Sequence, residues 1–165
     1  MVLQEQQALP MAPAVTLKAN GHGRALTFNA LGTTTLLVCV ARETSDRSSP
    51  VVTAVRDRYA DASQVLIVSI ADTRPFPKLL RKVAEQIMKS SYKHAVENLK
   101  PGHAPEDYVL IVPDWDGEVL NPLGIGDVSK EIAVAVITRD GHVAGVYQGD
   151  DPIAHALTLL EQANA

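Results

Sequence analysis

The strongest constraint in this sequence is a set of apolar runs that do not alternate. Residues 34–41 read Thr-Thr-Leu-Leu-Val-Cys-Val-Ala, and residues 64–70 carry Val65, Leu66, Ile67 and Val68 in succession. Residues 108–112 and 131–138 repeat the pattern. Side chains of an extended strand point to opposite faces in turn, so a strand that is apolar throughout is covered on both faces. Each run is far too short to span a bilayer and rich in β-branched residues, so each reads as a strand in the middle of a sheet packed between other layers.

The segments between these runs supply the covering layers. Ser49-Pro50 reads as a helix start: a hydroxyl to accept from a free backbone N–H, then a proline where no N–H is needed. Val51, Val52, Val55 and Tyr59 place an apolar stripe on a helix that runs to about residue 60. From 78 to 99, Leu80, Val83, Ala84, Ile87, Met88, Ser91 and Ala95 recur at three and four residues, and Pro101-Gly102 ends the pattern. Asp151-Pro152 opens a last helix to about residue 162, capped by Asp151, with Ile153, Leu157 and Leu160 inward. Residues 15–18 and 25–28 form a hairpin around Asn20-Gly21, and Arg139-Asp140-Gly141 turns the run at 131–138 back into 142–148. The order is a β pair, β-α-β-α, β, a β-hairpin and α. It predicts an α/β fold: a three-layer α/β/α sandwich with a mixed central sheet and an N-terminal β pair. The expected division is a flexible arm over 1–12 and a single domain over 13–165.

Composition removes several functions. Of 165 residues, 46% are apolar and 21% charged, as in globular domains, and the 4% of aromatics leaves the core to Val, Leu, Ile and Ala. A net charge of −4 gives no general attraction to nucleic acid, and no apolar stretch is long enough for a membrane span. The first residues include Glu5 and three glutamines instead of a basic start and an apolar run, so the expected location is cytoplasmic. The single cysteine, Cys39, excludes a disulfide within one chain and all but excludes a thiol zinc site. His22, His94, His103, His142 and His155 show no paired ligand spacing. Asp114-Trp115-Asp116-Gly117 is a turn and not a calcium loop, because Leu120 and Pro122 stand where oxygen ligands belong. No cofactor is expected.

The segment with the most chemistry is the loop Arg42-Glu43-Thr44-Ser45-Asp46-Arg47-Ser48-Ser49. Its hydroxyls and two arginines, beside free N–H groups at a helix start, suit a phosphate, sulfate or carboxylate. The simpler role is a cap by Ser49 with the remainder in water. Lys78, Lys82, Lys89, Lys93 and Lys100 read as a solvated helix face, since no aromatic motif for stacking RNA bases accompanies them. Trp115 is a turn residue and, if exposed, a partner contact.

Several segments, taken in order, resemble the thioredoxin superfamily. Pro13-Ala14-Val15-Thr16-Leu17, Asn20-Gly21 and Leu26 resemble its N-terminal β pair, and Leu36-Leu37-Val38-Cys39-Val40-Ala41 resembles the strand leading to its active-site loop. Residues 109–117 with Leu123-Gly124-Ile125, then residues 133–137 with Arg139-Asp140-Gly141-His142-Val143, resemble its later turn and hairpin. The likeness is greatest to the redoxin branch, which includes the alkyl hydroperoxide reductase/thiol-specific antioxidant (peroxiredoxin-like) family and the thioredoxin-like cytochrome maturation proteins. Members carry a reactive cysteine, often two, near a helix N-terminus that lowers the thiol pKa. Here the resemblance puts Thr44 and Arg47 about where a Cys-x-x-Cys pair would sit, and Ile132 in place of the family's cis-proline. Cys39, inside an apolar strand, reads as a small buried side chain. The resulting expectation is a redox-inactive binding module. Arg42, Thr44, Ser45, Asp46, Arg47, Ser48 and Ser49, with Ile132 opposite, would take a protein or a small anionic ligand. The alternatives are a thiol-dependent oxidoreductase acting through Cys39 or a partner's cysteine, and a structural homodimer built on the long helix or a strand edge.

Overall fold

The computed structural model describes residues 9–165. Strands β1 (Thr16–Lys18) and β2 (Ala25–Thr27) pair antiparallel. Strand β3 (Thr35–Val40) leads through a 3-10 helix at Arg42–Arg47 directly into α1 (Ser48–Arg58). Then come β4 (Leu66–Ala71), a 3-10 turn at Lys78–Leu80, α2 (Arg81–Glu97) and the short α3 (Pro105–Tyr108). The chain ends with β5 (Ile111–Pro113), β6 (Ala133–Ile137), β7 (Val143–Gln148) and α4 (Pro152–Asn164). The main sheet has the order β5-β4-β3-β6-β7, parallel across β3, β4 and β5 and antiparallel from β3 through β6 to β7. This is the mixed α/β architecture that the apolar runs imply.

All of β3 and β6 is buried, as strands covered on both faces must be. Leu36, Val38, Val40, Val134 and Val136 meet Val51 and Val55 of α1 and Ala156 and Leu160 of α4. The alternate residues Leu37, Cys39, Ala133 and Ala135 meet Leu26 and Phe28 beside the β1–β2 hairpin and Leu120, Ile125 and Val128 from the turns that follow β5. The β6–β7 turn sits tightly on this layer. Gly141 has a φ of +86°, and a Cβ there would collide with the Asn29 carbonyl, so only glycine fits.

Several elements depart from the expected pattern. Strand β5 begins later than the apolar run, because Pro105 opens a helical turn that consumes Tyr108. In α2 only Ala84 and Met88 of the expected stripe are buried, and Leu80, Val83 and Ile87 are exposed, because α2 stands off the sheet while α1 and α4 pack on it. The five lysines are exposed, as a solvated face requires. Asp151 precedes α4, but its side chain makes no capping bond. Of the expected arm, residues 1–8 lie outside the described residues. Its last residues are held: the Ala12 N–H donates to the Gly141 carbonyl, and the Val143 N–H donates to the Pro10 carbonyl, both at 2.8 Å. Among the described residues no helix is long and apolar enough to cross a membrane.

Candidate functional site

Strand β3 delivers the chain to the carboxyl edge of the sheet, where the 3-10 helix turns it into α1. Thr44 does not face solvent. It is 1% exposed; its Oγ1 accepts from the Ala41 N–H (3.0 Å) and donates to the Val128 carbonyl (2.8 Å). It ties the loop to the segment before β6, and this removes it from the expected ligand set. Thr44→Val leaves both backbone groups without their partner in a buried place, so we expect a loss of about 1–3 kcal/mol in urea unfolding.

The free N–H groups expected at Ser49 are also not there as drawn from sequence. Because the 3-10 helix runs straight into α1, the Ser48 N–H already donates to the Ser45 carbonyl, and Ser49 lies within the first turn instead of capping it. The Ser48 hydroxyl donates to the Ser45 carbonyl (2.8 Å) and the Ser45 hydroxyl to the Arg42 carbonyl (3.1 Å). Arg47 turns away and donates to the Lys130 carbonyl. Ile132 precedes β6, one residue beyond the Cys39–Ala133 pair, at the end of the sheet where β3 enters the loop. It is buried among the residues facing α1 and α4, since residues 132, 134 and 136 share that face of the sheet. The loop meets the carbonyls of Val128 and Lys130, and there is no cis peptide bond among the described residues.

What the structure does bring together is Arg42, Ser45, Asp46, Ser48 and Ser49, at one end of a groove of about 760 Å³ between α1 and α2. The groove follows from side-chain size. In register, Val38, Ser69 and Ile111 form one row of the sheet on the helix side, flanked by the row that holds Ile67 and the row that holds Val40 and Ala71. Along β4 this face therefore shrinks from Ile67 to Ser69 to Ala71. Above it, α2 contributes the small residues Ala84, Ser91 and Ala95 together with Ile87, Met88 and His94. Facing them, α1 presents Ser49, Val52 and Arg56. At the far end the Arg56 guanidinium donates to the Val65 carbonyl (2.7 Å) and lies 5.2 Å from the Tyr108 ring centre. Ser69 was the signal for this space in the sequence: a hydroxyl interrupting an otherwise apolar strand.

Beneath the loop, on the other face of the sheet, lies a buried polar cluster. Arg74 holds both carboxylate oxygens of Asp72 at 2.9 Å, and it also donates to Asn121 Oδ1 (2.6 Å) and to the carbonyls of Ile125 and Gly126. Asp114 Oδ2 accepts the N–H groups of Val119 (3.0 Å) and Leu120 (2.8 Å) and so organises the turns after β5. Cys39 is 0% exposed beside these carboxylates. Burial above all, then the charges of Asp114 and Asp72, push its thiol well above the ordinary range, with Arg74 opposing weakly.

No protein-family model matches this chain. No curated protein matches it either. Solved structures do. A putative electron transfer protein from Aquifex aeolicus VF5 superposes with a TM-score of 0.66 at 10% identity, covering 94% of this chain and 96% of that one. A thiol:disulfide interchange protein of the thioredoxin family from Chlorobium tepidum TLS gives 0.60 at 13%, covering 98% and 100%. StoA from Bacillus subtilis gives 0.58 at 18%, covering 92% and 98%. The fold is thioredoxin-like. At these identities the likeness concerns the fold alone. Within this thioredoxin-like chain there is one cysteine, so no disulfide can form inside it. Sequence reasoning missed Val128 and Lys130 as the loop's true neighbours, because only the closing of the sheet brings residues so distant in the chain together.

Proposed function

We propose that this is a redox-inactive thioredoxin-like protein that binds through the groove beside its former active-site loop. One observation carries the reading. At the start of the helix that follows the first central strand, where such folds hold a reactive Cys-x-x-Cys pair, this chain has no cysteine: solvent-reaching serines, Ser45 and Ser48 among them, stand at that spacing, while the chain's only thiol is buried within β3. A hydroxyl cannot form a disulfide, so electron exchange has no carrier there. The β1–β2 pair ahead of β3 supports a place near the redoxin branch.

The test is titration of Cys39 with a chromogenic disulfide. We expect no reaction in the native protein and one thiol per chain in denaturant. Rapid native reaction would restore the oxidoreductase reading. Stability against pH gives a second check. The folded thiol keeps its proton while the unfolded thiol ionises above roughly pH 8.5, so above that pH the native state binds more protons and stability falls as pH rises. Compared with Cys39→Ala, the native protein should lose an additional ~1.4 kcal/mol per pH unit above about pH 9, and nothing below about pH 8.

A homodimer is favoured by one feature, the outer face of α2 and the turn before it, where Leu79 is 94% exposed beside Leu80 and Val83. Light scattering over a range of concentrations decides it, and a monomer throughout ends that reading.

A further inference from the structure

We propose that the groove between α1 and α2 takes an amphipathic monoanion, with an alkyl chain lying along the slot and a carboxylate at the end marked by Arg42. This rests on the binding reading above and names its ligand class. The volume of about 760 Å³ is that of a small-molecule site. The walls are apolar or small, from Val52 on α1 to Ala84, Met88 and Ala95 on α2.

The floor discriminates between an alkyl chain and a peptide. It is made chiefly by β3 and β4, whose backbone groups are paired with strands on both sides, and by the edge strand β5, paired with β4 on one side. An extended peptide would therefore bury its own N–H and C=O groups with few partners, at a high desolvation cost. An alkyl chain carries no such groups.

The charged end follows from which groups are already paired. Arg42 follows β3 and Thr73 follows the parallel strand β4, so both stand at the same end of the groove. Among the described residues no carboxylate forms an ion pair with Arg42. Thr73 is 4% exposed, borders the groove, and its hydroxyl has no hydrogen-bond partner. Asp72, at the same end, is taken up by Arg74, and Arg56 is committed to backbone carbonyls at the far end. Asp46 is the remaining carboxylate at the mouth, and His94 lies on the α2 wall. A single anionic head reaching Arg42 and Thr73 would give both a partner.

The experiment is calorimetric titration of the whole chain with dodecanoate and with dodecanol, each below micelle formation. Dodecanoate should bind roughly tenfold or more tightly than the alcohol, the worth of one charge-assisted contact, and Arg42→Gln should bring the two together. Ser69→Leu fills the slot and should abolish binding of both; Ala84→Leu fills it from the other wall if the first variant fails to fold. The inference is overturned if dodecanoate does not bind, if the alcohol binds as tightly, or if both filling variants leave binding intact. An apolar peptide that binds where neither lipid does, and is blocked by Ser69→Leu, overturns the ligand class while leaving the binding reading in place. The thiol titration of Cys39 decides redox inactivity independently of all these outcomes.

Discussion

Changing Ser45 and Ser48 together to cysteine should turn this chain into a thiol–disulfide reagent. The two positions are three apart across the junction of the 3-10 helix and α1, the Cys-x-x-Cys spacing, at which Cα atoms of a helical turn fall within the roughly 4.4–6.8 Å that a disulfide spans. Ser45 is exposed and Ser48 half-buried, so the outer thiol would be accessible and the inner one placed to resolve it. The helix start and the exposed Arg42 both favour the thiolate. The cost to the fold is small, since each hydroxyl makes one surface bond to a backbone carbonyl, worth about 1 kcal/mol. After reduction, S45C/S48C should show two native thiols to a chromogenic disulfide; after oxidised glutathione, none. It should reduce insulin with dithiothreitol as electron source, whereas the parent chain and either single variant should stay at background. Two thiols that persist in oxidised glutathione would show that this junction cannot hold a redox pair.

Arg74→Ala should be the most damaging single surface-reaching substitution. Arg74 forms a two-pronged pair with Asp72, whose side chain is 3% exposed, and ties Asn121 and the carbonyls of Ile125 and Gly126 to the end of β4. Removing it leaves a buried carboxylate without a counter-charge, and breaking such pairs costs about 3–5 kcal/mol. That is a large share of the roughly 5–15 kcal/mol that holds a domain of this kind together. Arg74→Lys should recover only part of the loss, because an ammonium cannot match both carboxylate oxygens and reach three other acceptors. Urea unfolding at neutral pH reads both variants. A loss under about 1 kcal/mol for Arg74→Ala would mean that water screens the pair through the exposed side of the guanidinium.

The central strands were legible because burial on both faces writes a short uninterrupted apolar run, and β-branched content marks it as extended. The same property concealed the site. In Ala133-Val134-Ala135-Val136-Ile137 both faces are apolar, so the order of residues cannot say which face meets α1; only the fold shows that the parity of Ile132 puts its side chain under the helices. Thr44 was misread for a related reason. A threonine beside a helix start has the same composition whether its hydroxyl faces water or ties to a carbonyl 84 residues away, and only the fold supplies Val128. The loop's chemistry is written in its composition, and in the fold Arg42, Ser45, Asp46, Ser48 and Ser49 border one groove. The groove was hidden because helical periodicity reports which face of α2 turns inward, not how far the helix stands from the sheet.

The burial of the lone thiol at the centre of the sheet has one more consequence. With no accessible thiolate, glutathione and peroxide find nothing on this molecule's cysteine to modify, so whatever it captures, it should capture equally well on either side of a redox boundary.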